Sequence, residues 1–202
     1  MGEADMIRKG DILSSPKTGE TFYFLKTAAD TNGRLLEYEI HAEPDAAPIL
    51  PSHLHPVQDE RIEVLKGEIT LQLGRETYLL RAGDSRVVPA GAAHGWRNTG
   101  GRTALLLVEV EPAGQHETLI ETFCAIAHHP SFFADGKLKP LALAVILDKY
   151  PDHIYLSSWS ARAQKAAYAA LAVAGRAQGF LPDYSYWDCV SEGEREVSIM
   201  LA

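Results

Sequence analysis

The chain has 202 residues, of which 46% are hydrophobic and 23% charged, with a net charge of −8. That composition suits a globular protein with one substantial core. The acidic balance weighs against nucleic acid and anionic membrane as main partners, and no basic cluster reverses it. Cys124 and Cys189 have no neighbours at metal-ligand spacing and build no disulfide framework, so two free thiols in a reducing compartment are expected. The opening "MGEADMIRKGDIL" lacks the basic-then-apolar order of a signal peptide, and Met6 stands where a myristoylation signal wants Ser or Thr. The apolar run 166–175 is too short to span a bilayer. A cytoplasmic protein with no membrane partner is the expectation.

In chain order, alternation predicts strands over 21–27, 34–42, 61–67, 68–73, 76–82, 85–90, 93–98 and 102–111. Gly74-Arg75 provides a tight hairpin turn. Many short strands with frequent turns indicate an antiparallel sandwich or barrel. After residue 115 the period becomes helical. Leu119, Ile120, Phe123, Ile126 and Ala127 fall on one stripe of a helix ended by Pro130. A second helix runs from Pro140 and stops before Pro151. A third, over 160–178, starts at a Ser160 cap and ends at Gly179. The expected division is a β domain over 1–112, a helical extension over 113–180, and a tail over 181–202. That tail either docks through Tyr184, Tyr186 and Trp187 or lacks fixed structure.

The stretch "PSHLHPVQDERIEVLKG" (51–67) carries the first chemical signal. Residues i and i+2 of an extended chain share a face, so His53 and His55 can converge on one point. By the same parity Glu60 shares a face with Ile62 and Val64, which want burial, while Asp59 faces outward. A buried carboxylate is costly without a partner. Two histidines and a metal ion would supply one. The second signal is "GDSRVVPAGAAHGWRN" (83–98), where His94 opens a strand with Trp96 and Asn98 on its own face. Gly67, Gly83, Pro89, Gly91 and Asn98 read as turn and packing residues. His41, His116, His128, His129 and His153 are assigned no metal.

Together the two segments resemble the motifs of the cupin superfamily. His53, His55, Glu60 and Gly67 match the first motif with a four-residue spacer, except that its leading glycine is missing here. Gly83, Pro89, Gly91, His94 and Asn98 fit every position of the second. The resemblance covers residues 34–112, the size of one barrel. It implies a mainly β, antiparallel jelly-roll barrel followed by the helical extension. It also implies one divalent metal held by His53, His55, Glu60 and His94. Imidazole with carboxylate suits Fe, Mn, Ni, Co, Cu or Zn without choosing among them. Tyr38, Ile40, Ile62, Val64 and Trp96 are expected to wall a substrate pocket, by strand parity. The implied activity is that of a small-molecule oxidoreductase similar to quercetinase-like dioxygenases, with Glu60 both ligand and proton acceptor. The alternatives are a redox-neutral sugar or keto-acid isomerase or lyase, and a non-catalytic metal- or ligand-binding protein. A homodimer is the expected assembly, by the same resemblance.

Overall fold

The computed structural model describes residues 7–190. Its first ten strands are β1 (Ile12–Ser15), β2 (Glu20–Lys26), β3 (Leu36–Ala42), β4 (His53–Leu54), β5 (Asp59–Lys66), β6 (Glu68–Leu73), β7 (Glu76–Arg81), β8 (Ser85–Val88), β9 (His94–Arg97) and β10 (Ala104–Glu111). Helix α1 (His116–Ala127) follows, then a small hairpin of β11 (Phe133–Ala134) and β12 (Lys137–Leu138). The chain continues through α2 (Pro140–Lys149), β13 (Tyr155–Leu156), α3 (Ala161–Ala177) and α4 (Tyr186–Cys189). Two antiparallel sheets make the jelly roll, in strand orders β1-β2-β3-β10-β5-β8 and β13-β4-β9-β6-β7. They remain separate sheets and do not close into one continuous ladder.

Period-two patterning makes the core. On β3 every second residue from Leu36 to Ala42 is buried, and on β10 the same holds from Ala104 to Val110. Registry lines these faces up, so that Tyr38, Val108 and Ile62 form one row across three strands. Each fully buried side chain of this kind contributes roughly 1.5–3 kcal/mol. The chain passes from one sheet to the other at Gly67, between β5 and β6. Its φ of 80° lies in the left-handed region, and a Cβ there would sit 3.0 Å from the Ala104 Cα. This is the physical reason for the glycine that ends the first motif.

All eight expected strands form, with shifted ends. The pattern did not reveal β1, β4, β13 or the β11–β12 hairpin. Two-residue strands have no period to detect, and "ILSS" carries two serines beside a turn. The three helices appear where expected, and the Ser160 hydroxyl accepts from the Ala163 N–H at 3.3 Å as a cap. Helix α1 buries more than one stripe because it lies between two cores. Ile120 and Cys124 join the jelly-roll core, whereas Leu119 and Ile126 join a second core with Ile146, Leu147, Tyr150 and Tyr168. Phe123, expected on the buried stripe, is only half-buried. Of the tail, Tyr186 is 1% exposed, and its hydroxyl lies 3.1 Å from the Ser14 N–H, from which it accepts. Tyr186 therefore docks this part of the tail; positions 191–202 lie outside the described residues. No helix among the described residues is long and apolar enough to cross a membrane.

Asn98 shows why the second motif ends where it does. It is fully buried, and its Nδ2 donates towards the carbonyls of Ala42, Glu43 and Arg102 at 2.8, 3.1 and 2.9 Å. Its Oδ1 accepts from the Gly100 N–H at 2.9 Å. One side chain thus ties the end of β3 to the β9–β10 turn. Asn98→Leu leaves those carbonyls without a donor, so chemical denaturation should show a loss of about 3 kcal/mol. A variant as stable as the parent would contradict this role.

Candidate metal centre

Four side chains from both sheets meet at one end of the jelly roll. β4 pairs with β9 so that His53 stands opposite His94. His55 follows two residues later on the same face, and Glu60 reaches in from β5 in the other sheet. All four are buried, and one ligand atom from each can be chosen so that the set lies within 4.8 Å of one another. The expected convergence of His53, His55, Glu60 and His94 is therefore present in the fold. Asp59, the rejected neighbour, is exposed and accepts from the Ala90 N–H at 2.8 Å. Gln58 is buried but stands outside the cluster.

The tautomers follow from the backbone. The Nδ1 atoms of His53, His55 and His94 lie 2.8, 2.5 and 3.1 Å from the carbonyls of Leu50, His153 and Ala92. A carbonyl only accepts, so each Nδ1 carries a proton and Nε2 is the ring atom turned inward. Such orienting bonds to the far nitrogen are what metal-ligating histidines need.

Electrostatics point the same way. Glu60 Oε2 lies 2.8 Å from His94 Nε2 and 3.6 Å from His55 Nε2. Yet Glu60 Oε2 and His94 Nε2 are both buried with no well-formed hydrogen bond among the described residues. Two electron-rich atoms facing each other in a buried site are stabilised by a cation between them. The donor set of three imidazoles and one carboxylate fits a divalent metal ion. Burial pushes the His53 pKa down to about 3, helped by the neighbouring His55 and His94, so this ring is neutral at pH 7. Burial alone would raise Glu60, but the contacts from His55 and His94 outweigh it and hold the carboxyl well below its usual range. Burial likewise opposes charge on His94, and the adjacent Glu60 overcomes it, raising that pKa.

A cavity of about 690 Å³, counting its open mouth, adjoins the cluster. Its walls include Tyr38, Ile40 and Trp96, three of the five residues expected there. Ile62 and Val64 are a correction. Both are fully buried, but they pack in the core against β10 and do not line the cavity. Parity gave their face correctly; it could not give their place across the sheet, where they are level with Tyr38 and Ile40 but two strands away, beyond β10.

Three residues at this site were not expected. His116, at the start of α1, lines the cavity and packs edge-on against His55 with ring centroids 4.9 Å apart. It is buried, its Nδ1 has no partner among the described residues, and burial together with His55 holds its pKa well below the ordinary value. His153 supplies the carbonyl that orients His55, and its own Nε2 accepts from the Gln115 N–H at 2.6 Å. Glu20, on β2, opens into the same cavity. None lies in the motif segments, and no local pattern marks them. The helical extension thus completes the surroundings of the metal ligands.

Comparison with known proteins places these observations. Residues 40–110 match the family described as a cupin domain. Quercetin 2,3-dioxygenase of Bacillus subtilis (strain 168) is 43% identical over 56 residues, which are 28% of this chain and 17% of that protein. Polyketide synthase CurC of Streptomyces cyaneus is 29% identical over 70 residues, 35% of this chain and 46% of that protein. The matches thus span less than half the length of these curated relatives. Among solved structures, TT1209 from Thermus thermophilus is 36% identical, over 40% of this chain and 74% of that one, with a TM-score of 0.38. The domain match falls on the strands that carry His53, His55, Glu60 and His94, and on this ground residues 40–110 form a domain of the cupin superfamily.

Proposed function

We propose that this protein is a metal-dependent oxidoreductase of the dioxygenase type acting on a small, largely apolar molecule that offers an oxygen donor. The observation that carries the reading is the position of three inward Nε2 atoms and one carboxylate at the wall of an apolar cavity. The local similarity to quercetin 2,3-dioxygenase supports the reaction class. His53, His55, Glu60 and His94 would hold the ion, which supplies Lewis acidity and, for a redox-active metal, electron transfer to oxygen. Trp96, Tyr38 and Ile40 bind the substrate body and exclude water. A carboxylate oxygen of Glu60 accepts the proton of the substrate hydroxyl, leaving an oxyanion opposite the imidazoles. The contacts from His55 and His94 keep Glu60 ionised, the form required to hold the ion.

A redox-neutral isomerase or lyase is the second reading, and Glu20 and His116 favour it. Such a reaction needs an acid or base apart from the ligands, and both residues stand in the cavity. Oxygen uptake separates the two. Protein loaded in turn with Fe, Mn, Ni, Co, Cu and Zn is offered a phenol and diketone panel. Consumption of oxygen with turnover is expected; turnover without uptake would transfer the assignment to the redox-neutral class. No turnover with any metal would favour a binding role. In the active form, Trp96→Ala should weaken substrate binding about tenfold through lost apolar contact, with metal content unchanged. Glu60→Gln should lower turnover about a hundredfold while part of the metal is retained.

A further inference from the structure

Burial of a carboxylate needs a reason, and Glu20 has none in the fold itself. It is 6% exposed, and the described residues lining its cavity include no lysine or arginine. Its polar surroundings are the Thr18 hydroxyl, with Ser15 beside it across the β1–β2 pair. Ser15 and Thr18 hydrogen-bond each other at 2.6 Å through their hydroxyls. Burial raises the Glu20 pKa to about 7, with Thr18 opposing.

Glu20 is also remote from the metal ligands. In register it stands beside Ala42, whereas Glu60 stands level with Leu36 through Val110. Six residues of β3 separate those rows, roughly 20 Å along an extended strand. Tyr38 lies between them, and both carboxylates bear on its phenol, adding to the effect of burial in raising its pKa. The cavity therefore has a polar pole at each end and apolar walls of Phe22, Tyr38, Ile40 and Trp96 between.

We propose that Glu20, with Thr18 and Ser15, forms a second subsite that receives a hydroxyl donor at the far end of the ligand whose oxygen donor faces the metal centre. The ligand class is thus an elongated amphiphile: an acidic or enolic oxygen at one end, an apolar body, and a hydroxyl at the other. An apolar terminus would strip water from Glu20 and leave it with the Thr18 hydroxyl alone, which the site penalises. This inference rests on the metal-site reading given above but not on the oxidoreductase assignment.

The test is calorimetric binding to zinc-loaded protein, with zinc content measured first. The probes are benzoate, biphenyl carboxylate and terphenyl carboxylate, each with and without a terminal para-hydroxyl. At least one hydroxylated probe should bind about tenfold more tightly than its plain partner. Glu20→Leu, which puts an apolar residue into a buried site, should erase or invert that preference with zinc content and melting temperature preserved. The near-isosteric Glu20→Gln keeps one carbonyl acceptor and should fall between the two. Equal affinities within every pair, a preference that survives Glu20→Leu, or no binding by any probe overturns the subsite. A zinc-free preparation would instead reject the metal centre. A hydroxyl preference without oxygen uptake on any substrate would reject only the oxidoreductase reading.

Discussion

Protein carrying both His53→Ala and His94→Ala should come off a desalting column with almost no bound metal, whereas the parent retains about one ion per chain. The two rings face each other across β4 and β9, with centroids 4.4 Å apart, and together they supply half of the ligand set. His55 and Glu60 remain, a pair too small to hold a divalent ion against water. If a four-ligand site contributes on the order of 10–16 kcal/mol, losing two ligands costs on the order of 10⁴-fold in affinity. The single variants keep three ligands and should bind weakly. His94→Ala has a further effect, because Glu60 then loses its 2.8 Å neighbour and stays buried. Its stability should fall more than that of His53→Ala, as a carboxylate is left with His55 alone. Elemental analysis of the desalted variants provides the measurement. Full occupancy in the double variant would remove these residues from the site.

The metal cluster was legible because its chemistry is written at short range. A two-residue spacing fixes a shared face, and Glu60 stands at the entry of β5 with apolar neighbours two and four residues on. Strand pairing then had only to bring His94 opposite, and the turn residues of the second motif do that. What was not legible depends on depth or on distant contacts. Ile62 and Val64 have the right face and share rows with Tyr38 and Ile40, yet β5 lies two strands away across the sheet, outside the cavity wall. Glu20 is an ordinary strand-entry residue until the jelly roll folds over it. His153 acts through its backbone carbonyl, for which the residue type carries no signal. His116 heads a helix whose other members read as plain packing. The helical extension was foreseen as helices but not as a wall of the site. That role depends on β13 pairing with β4 and on Gln164, whose amide bridges the N–H and carbonyl of Leu156 at 2.9 and 2.7 Å.

Gly95→Ala is expected to damage the site as severely as the loss of a ligand, although Gly95 touches no metal. Gly95 stands between His94 and Trp96 on β9, and the chain leading into β4 lies directly against it. A Cβ at this position would fall 1.8 Å from the Pro51 carbonyl oxygen and 2.9 Å from its carbon. Both are backbone atoms, so no side-chain rotation relieves the clash and the segment itself must move. That segment begins the arm carrying His53 and His55. It includes Leu50, whose carbonyl orients His53 at 2.8 Å, and Ser52, whose hydroxyl meets that of Ser157 beside β13 at 2.6 Å. Lifting it would break the single register pair His53↔His94 on which the ligand geometry depends. Overpacking of this kind costs about 3 kcal/mol, and metal affinity should fall roughly a hundredfold as His53 leaves the set. Gly101 is the control, because a Cβ there meets nothing within 4 Å. Gly101→Ala should match the parent within about 0.5 kcal/mol and retain its metal. Thermal melting with and without added metal reads both effects, since an intact site raises the melting temperature on loading and a broken one does not. If Gly95→Ala melts and binds metal like the Gly101 control, the close approach of β4 to β9 is not what holds His53 in place.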